Sequence, residues 1–557
     1  MNIGNIIISE YEDISDICPL PPLDIQEYLK HLPREICISY GLLMSNYTQE
    51  DDIQKQIVNL NFNEKIPPIL LNKLTKERLS NDRYVLFSPQ TGLELLKYTF
   101  SIPKSEFYRI IGEQFSVIPL LLAILRINSE LRRIGSHFRD KSAILFTKQI
   151  RSRKYELDDR ITIYPTIYRM FCLLHFFEQT KNPKWIKLYE LLSSDLGVKS
   201  LRDYYSMTLR FIGNCNLHPK ISNTIFTSKI GANSYSWLSR FSFDHDAIIT
   251  LNDNQDYTYF KKYPLVKLSD SEFGLISNLF ISNQLYSSLK FKMSRLCKDG
   301  NLFNFLSAFN KDFVEDYLLH EILNYAFEHK ATKYLSENDC KANLSEFSRI
   351  NKFHLNKSDK EKLPDGYIRL GNNILLIECK AKTISIKALK NERQCVDDIN
   401  TDIVNEKHGT GQLIYNCTRI LEGKFYADNG IPSDFKIYPL IIVDDFGFSS
   451  DGFNRYVIEN TKDFVSKHHN HMMPFTVLDM DTLILIAELI RTNRFDIFNN
   501  IDSYHKYISG RLKPYSTNEL FHFSEVSFSS YIYSEHETHS PEIIDKWYDS
   551  LLSVNNN

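Results

Sequence analysis

The stretch "LPDGYIRLGNNILLIECKAK", Leu363 to Lys382, contains two apolar runs joined by a Gly-Asn pair. Gly371 and Asn372 fit a two-residue β-hairpin loop, because such loops need positive φ angles that Gly and Asn tolerate. The second run, "ILLIEC", is apolar on both faces, which is typical of a buried strand. The sequence therefore predicts a hairpin at the centre of a covered sheet, and the charges of Glu378 and Lys380 at its end need an explanation.

The register of this hairpin decides which charges meet. If Leu370 faces Asn373, then Asp365 lies opposite Glu378, with Cβ atoms about 4.5 to 5.5 Å apart, and Lys380 points to the same face. Two facing carboxylates in apolar surroundings are destabilising, and a divalent cation would compensate for them. A bound cation also activates water and stabilises charge on a phosphoryl oxygen, while Lys380 would orient the water or neutralise the developing charge. This register predicts a site for phosphodiester hydrolysis.

A second register gives an ordinary ion pair. If the loop were Asn372-Asn373, Asp365 would face Lys380, with Glu378 nearby, and the three charges would form a salt-bridged hairpin with no catalytic role. The geometry of the sequence alone leaves both readings open.

The residues Pro364, Asp365, Glu378 and Lys380 resemble the signature of the PD-(D/E)xK nuclease superfamily. The resemblance covers about 200 residues, from Leu302 to roughly Gly510. It implies a restriction-endonuclease-like fold, with Mg²⁺, or Mn²⁺ in its place, bound by Asp365, Glu378 and the backbone carbonyl of Cys379.

The resemblance implies two further site residues. The superfamily usually has an acidic residue on a helix before the hairpin, and "FVEDYLLHEI" offers Glu315 or Glu321. Glu315 is favoured because it shares an apolar stripe with Leu319, whereas Glu321 lies on a more polar face. Family members also often carry a glutamine on the helix after the core strand, where Gln412 stands; an ordinary helix-start amide is the alternative.

Composition points to a folded protein in a reducing compartment. The 557 residues are enough for two or more cores, and 43% are hydrophobic against 24% charged. Nine cysteines, an odd number without paired CxxC spacing, make a disulfide framework improbable. The N-terminus lacks a basic signal region, and the most apolar run, 115–125, is too short to span a bilayer. We expect a cytoplasmic protein that does not insert into a membrane.

The charge distribution suggests where phosphates could bind. Net charge is only −3, but residues 126–154 carry nine basic residues against two acidic ones, and residues 351–393 carry ten against five. Each island is either a phosphate footprint or a solvated helix face. The second island contains the hairpin, and its basic residues beyond the strand are predicted to contact phosphates: Lys382, Lys387, Lys390 and Arg393.

The pattern of elements predicts a multidomain chain. Residues 1–240 read as a mainly helical region that selects or senses the substrate, and 241–300 as a connector of β-hairpins and a helix. Residues 301–510 read as an α/β nuclease domain with a mixed sheet flanked by helices, followed by a C-terminal extension, 511–557. A cluster of histidines, "KHHNHMMP", has no partners at metal-ligand spacing and is read as a solvated loop.

The predicted function is a Mg²⁺-dependent nuclease. Resemblance favours an endonuclease acting on DNA and, from the overall architecture, a role in anti-phage defence with a homo-oligomer or a partner protein. No P-loop motif occurs in the sequence, so ATP-driven movement would need a partner. An alternative function is an inactive nuclease-like sensor that binds nucleic acid or a protein.

Overall fold

A computed structural model describes most of the chain. The described residues are 6–17, 23–47, 53–60, 66–75, 83–108, 116–136, 159–216, 225–227, 237–253, 257–352, 362–382, 392–405, 408–445, 448, 450, 452–511, 526–536 and 542–553. These residues are mostly helical, and the C-terminal half holds a mixed sheet, in agreement with the predicted order of a helical region followed by an α/β region.

The chain divides into two compact units, and each unit consists of several separate stretches of the sequence. The first unit consists of residues 1–139, 155–163 and 200–291, and the second of residues 140–154, 164–199 and 292–557. This division differs from the predicted boundaries. Residues 164–199 belong with the C-terminal unit, and the strands of the expected connector belong with the N-terminal one.

Helices of the first unit surround an aliphatic core. Leu93, Leu96 and Phe100 are fully buried on one side of the helix Pro89–Ser101, whose first turn is capped by Ser88. The helices are Tyr11–Asp13, Ile25–Lys30, Arg34–Ser45, Ile53–Asn59, Pro68–Thr75, Pro89–Ser101, Lys104–Glu106, Ile118–Ser136, Leu201–Asn216, Thr258–Lys262, Asn278–Ser282 and Asn283–Leu285. The division into units falls inside two further helices, Asp159–Gln179 and Ser287–Asp299.

Two small sheets accompany these helices. Strands β1 (Ile6–Ile8) and β2 (Arg83–Val85) pair in parallel. The second sheet has the order β3, β6, β5, β4, with one parallel pair, β4 with β5; its strands are β3 (Ile225–Thr227), β4 (Ser242–Asp244), β5 (Leu265–Lys267) and β6 (Glu272–Leu275).

A five-stranded mixed sheet forms the centre of the second unit. Its strands are β7 (Lys333–Ser336), β8 (Gly366–Leu370), β9 (Asn373–Lys380), β10 (Lys436–Val443) and β11 (Thr476–Asp479), in the order β11, β10, β9, β8, β7. Strands β7, β8 and β9 are antiparallel neighbours, whereas β9, β10 and β11 run parallel. Strand β9 is therefore central and covered on both faces, as its apolar sequence predicts.

Helices flank this sheet. They are Pro183–Leu196, Phe305–Ala308, Leu319–Phe327, Glu337–Asn351, Glu392–Asp402, Thr410–Leu421, Phe453–Lys467, Met480–Arg491, Ile497–Arg511, Phe528–Glu535 and Glu542–Ser553. The helix that the sequence predicts before the hairpin, around Glu315 and Glu321, is present, but its first part, Phe309–Leu318, winds as a π-helix. π-Helices are rare, so an α-helix is the default expectation for an apolar stripe of this kind.

The predicted hairpin loop is confirmed. Leu370 pairs with Asn373, so Gly371 and Asn372 form the loop, and the alternative loop Asn372-Asn373 is wrong. Gly371 has a φ of 58°, a conformation that residues with a Cβ rarely adopt.

Two further features concern the lengths of the described helices and the burial of the cysteines. Among the residues that the structure describes, no helix combines the length and apolarity needed to cross a membrane. Among the described residues, the following cysteines are buried: Cys37, Cys172, Cys297, Cys340, Cys379, Cys395 and Cys417.

Candidate metal and catalytic site

The hairpin register places two carboxylates together at the end of β9. Gly366 pairs with Ile377, so continuing the pairing by one residue sets Asp365 opposite Glu378. Both side chains are buried, with residue exposures of 7% for Asp365 and 1% for Glu378. The first sequence reading of the hairpin is therefore the one that the backbone adopts.

The protein itself satisfies part of this charge. The backbone N–H of Cys379 donates to Asp365 Oδ2 at 2.7 Å, and Lys380 Nζ donates to Glu378 Oε1 at 2.6 Å. The second oxygen of Glu378, Oε2, is buried and has no hydrogen-bond partner among the described residues. A buried carboxylate oxygen without a donor is costly, so this atom marks a position where a further positive group fits.

Pro364 frees a backbone carbonyl beside the two carboxylates. The Lys380 carbonyl accepts from the N–H of Asp444, the residue after β10, at 3.1 Å, so the preceding carbonyl, that of Cys379, points toward the β8 side. Extending the register by two residues past Gly366 sets Pro364, which has no N–H to donate, across from this carbonyl. This carbonyl is thus available as an oxygen ligand next to Asp365 and Glu378.

Glu315 lies near the charged groups of this site, and Glu321 does not interact with them. The charge of Glu315 interacts with those of Asp365, Glu378 and Lys380, whereas burial alone accounts for the raised pKa of Glu321. Glu315 also lies 3.4 Å from Lys311 Nζ. Of the two candidate acids, Glu315 is the one whose charge acts on the cluster, and its role there stays a prediction.

The pKa values of the three acids of this cluster are all raised, and burial is the main cause for each. Burial raises the pKa of Asp365 to about 6, although Lys380 and the Cys379 N–H lower it. Burial and the charge of Asp365 raise the pKa of Glu315 to about 7 and that of Glu378 well above its usual range. Burial lowers the pKa of Lys380, but its ion pair with Glu378 outweighs this and the net shift is upward. Buried acids with raised pKa values of this kind are common at functional sites.

Gln412 acts on the loop before Asp365. Its Nε2 donates to the carbonyl of Leu363 at 2.8 Å, from the first turn of the helix Thr410–Leu421. The contact anchors the chain two residues before Asp365.

The predicted phosphate contacts are only partly described. Lys382 is exposed and pairs with Asp402 at 3.1 Å, and Arg393 is exposed near the start of the helix Glu392–Asp402. Lys387 and Lys390 lie outside the described residues. Lys382 follows the site directly, so its position is compatible with phosphate binding.

An arginine network at the neighbouring strand ends was not predicted. Arg169 forms a salt bridge with Asp444, the residue after β10, and a second one with Asp481 at 2.8 Å. Burial raises the pKa of Asp481 to about 6, although Arg169 lowers it. The acidic pair that follows the apolar strand "IYPLIIV" was a usable signal, but nothing in the sequence points to Arg169 as its partner.

Two other groups of residues contain potential metal ligands. In the described part of the chain, Asp244, His245 and Asp246 alone bring three potential ligand atoms within 4.8 Å of one another, and both carboxylates are exposed. The predicted site offers two carboxylates and a carbonyl instead. His468, His469 and His471 lie in and after the turn that ends the helix Phe453–Lys467.

Comparison with known proteins identifies no family for the chain. No protein-family model matches the chain, and no curated protein matches its sequence.

Proposed function

We propose that the second unit is a metal-dependent nuclease with a restriction-endonuclease-like fold, which hydrolyses phosphodiester bonds in nucleic acid. The observation that carries this proposal is the unpartnered, buried Oε2 of Glu378 opposite Asp365. The mixed sheet with flanking helices and the position of the site at the end of its central strand support it.

The residues present fit a hard divalent cation. Asp365, Glu378 and the Cys379 carbonyl offer only oxygen ligands, which Mg²⁺ and Mn²⁺ prefer, and the orphaned oxygen of Glu378 gains a partner. A cation held there would lower the pKa of water and stabilise negative charge on a phosphoryl oxygen.

The chain's own side chains supply the remaining steps. Lys380 points to the face of Glu378, where its ammonium orients the attacking water and offsets charge that develops on the phosphate. Glu315, with a pKa of about 7, takes up a proton near neutral pH. Gln412 and the Cys379 N–H hold the chain and the carboxylate of Asp365 in place.

Substrate would be held by basic residues beyond the strand. Lys382 and Arg393 are exposed and able to contact phosphates. In this proposal the first unit selects or senses the substrate, and DNA is the substrate that the resemblance favours.

The test is cleavage with controlled metal. Purified protein is incubated with plasmid, linear duplex DNA, single-stranded DNA and RNA, in Mg²⁺, Mn²⁺ or EDTA. Cleavage is expected with either metal and not with EDTA, and Asp365→Ala and Lys380→Ala are expected to lower its rate at least about 100-fold. Calorimetry should show that Asp365→Ala also loses Mn²⁺ binding.

Matched controls are the exposed Lys462 and Asp463 of the helix Phe453–Lys467. Lys462→Ala and Asp463→Ala should cleave like the parent protein. Cleavage in EDTA, or site variants as active as the parent, would refute the mechanism. Binding of nucleic acid without cleavage under any condition would favour the inactive sensor.

A further inference from the structure

The end of strand β9, which carries the candidate site, extends beyond its pairing with β8. That pairing ends with Gly366 and Ile377. Strand β10 continues in parallel register beside the next three residues, which are Glu378, Cys379 and Lys380. The position of these three residues in the sheet therefore depends on the end of β10.

A backbone hydrogen bond just after the last pair of β9 and β10 involves Lys380. The N–H of Asp444, the residue after β10, donates to the Lys380 carbonyl at 3.1 Å. This carbonyl belongs to the lysine that orients the attacking water in the proposed mechanism. Because such a bond tolerates a narrow range of lengths and angles, a shift of Asp444 would move the backbone of Lys380.

Arg169 binds Asp444 through both the side chain and the main chain of that residue. Nη1 of Arg169 donates to the Asp444 carboxylate, and Nη2 donates to the Asp444 carbonyl at 3.3 Å. Nε of Arg169 donates to Asp481 Oδ1 at 2.9 Å. Arg169 and Asp444 are both buried. Because the guanidinium is planar and its donors point in fixed directions, three such bonds together determine the orientation of Asp444.

These contacts lie on the face of the sheet opposite to the side chain of Lys380. Paired residues of neighbouring strands point to one face, so Val443 shares the face of Lys380, and Asp444, the next residue, points to the other face. The charge of Asp444 accordingly acts on the thiol of Cys379, which alternates with Lys380 along β9. Arg169 therefore affects Lys380 through the backbone of Asp444 rather than through contact with a substrate.

Neutralising two aspartates does not by itself explain the contacts of Arg169. A buried cation placed for its charge alone would need to bind only the carboxylates of Asp444 and Asp481. Arg169 also donates to the Asp444 carbonyl, which carries no net charge. This third contact constrains the backbone after β10, and the direction of that backbone sets the direction of the Asp444 N–H.

We propose that Arg169 is a positioning residue, which fixes Asp444 so that its N–H keeps the end of β9, and with it Lys380, in place. This inference rests on the proposed nuclease function for the role of Lys380. It goes further because it gives a residue of the N-terminal half of the sequence a part in the geometry of the site.

The test compares two buried arginine–aspartate pairs in the full-length protein. Arg169→Lys keeps a positive charge but lacks the planar set of donors. The matched control is Arg369→Lys, because Arg369 binds the buried Asp428 at 2.7 Å and lies near the hairpin loop, at the other end of β8 from the site. Both variants should melt below the parent, since each loses a charge-assisted contact with two donors.

Cleavage in Mg²⁺ should separate these two variants. Arg169→Lys is expected to lower kcat about 10- to 100-fold with an unchanged KM, because displacement of a catalytic group by roughly 1 Å costs on that order. Arg369→Lys should cleave with the kcat of the parent. Equal losses of kcat in both variants would show a general effect of lower stability and would overturn the proposal.

Asp444 provides a second pair of variants. Asp444→Ala removes the carboxylate while Arg169 keeps its salt bridge with Asp481, and it should lower kcat as Arg169→Lys does. Asp444→Asn keeps an oxygen that accepts from Arg169 and should retain the kcat of the parent. If Asp444→Asn were as slow as Asp444→Ala, the charge of Asp444 and not its position would matter, and the proposal would be wrong.

Hydrogen exchange tests the same contact without cleavage. In protein that contains neither metal nor nucleic acid, mass spectrometry follows the peptide that covers the end of β10. The Asp444 amide should exchange at least about tenfold faster in Arg169→Lys than in the parent or in Arg369→Lys, because the structure around it opens more often.

The two measurements together separate this inference from the nuclease proposal. Faster exchange in a protein whose parent form cleaves nothing would leave Arg169 as the residue that fixes the strand end, and the nuclease proposal would fail. Unchanged exchange, or faster exchange with an unchanged kcat, would show that Arg169 does not position Lys380 for the reaction.

Discussion

Lys311 connects three carboxylates at the rim of the site. Its Nζ lies 3.4 Å from Glu315, 3.1 Å from Asp316 and 2.7 Å from Glu337. Glu315 and Asp316 belong to the π-helix, whereas Glu337 begins the helix Glu337–Asn351, so one ammonium ties the two elements together. It is also one of the charges that lower the pKa of Glu315.

We expect Lys311→Ala to change the pH dependence of cleavage. Without this charge the pKa of Glu315 rises further above 7, so the ionised, proton-accepting form becomes populated only at higher pH. The acidic limb of the pH–rate profile should move upward, by up to about one pH unit. Rates measured across the neutral range would show this shift.

Two variants control the Lys311 experiment. Lys311→Arg keeps the charge and should keep the parent profile. Lys341→Ala removes the other lysine that pairs with Glu337, at 2.6 Å, without contact to Glu315, and should also behave like the parent. An unshifted profile for Lys311→Ala would exclude Glu315 as the group that titrates.

At the scale of single residues, the sequence predicted which residues form the cluster better than it predicted their contacts. The spacing of Asp365, Glu378 and Lys380 and the apolar stripe of Glu315 were sufficient to name the cluster. The contact between Lys380 and Glu378, the donor at Cys379 N and the bridging role of Lys311 depend on side-chain directions that no periodicity contains. Whether the named residues act as proposed stays a prediction.

Among the elements, strand β11 and the helix Ile497–Arg511 meet at a buried histidine. His505 Nε2 and Thr476 Oγ1 are 2.9 Å apart, and His505 is 6% exposed. Burial lowers the pKa of His505 to about 3, although a hydrogen bond to the backbone carbonyl of Pro474 raises it. The folded protein therefore keeps this imidazole neutral at a pH where an unfolded chain would protonate it.

This histidine should make the stability of the second unit depend on pH. Between the ordinary pKa of about 6.5 and the folded value, only the unfolded chain binds the proton, so the free energy of unfolding falls as pH falls. From pH 7 to pH 5 this contribution amounts to about 2 kcal/mol. His505→Gln, which can still bond with Thr476, should remove that part of the loss in urea unfolding.

The control for His505 is His329, which is exposed. His329→Gln should lose as much stability between pH 7 and pH 5 as the parent does. If His505→Gln loses as much stability between pH 7 and pH 5 as the parent and His329→Gln do, His505 does not titrate on unfolding in this range.

Elements were predictable where local chemistry decides them. The hairpin loop follows from Gly371, and the buried strand β10 follows from its unbroken apolar run. The π-helical winding of Phe309–Leu318 was not predictable, and neither were the helices after residue 525. In the last helix, Trp547 packs on Tyr168 and Phe171, a long-range contact that gives it a place in the unit.

At the scale of the molecule, the second unit includes a segment from the N-terminal half. Trp185 is fully buried there, packs on Phe176 and Phe303 at centroid distances near 5 Å, and donates to Asp312 at 2.9 Å. Arg169 of the same segment forms a salt bridge with Asp444. The amphipathic pattern of residues 164–199 predicted that these helices pack, but a periodic pattern does not name the surface that they cover.

A fragment that begins at the predicted domain boundary should therefore fail to fold. Residues 301–557 lack the segment that buries Phe303 and Phe305 and neutralises Asp444, and removing one such aromatic anchor costs roughly 3 to 5 kcal/mol. We expect an insoluble or molten fragment by circular dichroism and thermal melting. Co-expression with residues 159–199 should raise its solubility, and a cooperative, soluble fragment without that segment would contradict the division into units.

The buried cysteines can be used to measure how often different parts of the chain open. Cys37 lies in the first unit, and the other six described thiols lie in the second. Burial raises the pKa of Cys37, Cys340 and Cys417, so these thiols are neutral and shielded from alkylating reagents while the surrounding structure is closed. The rate at which each thiol becomes modified then measures how often its own part of the chain opens, separately for each unit and without any introduced label.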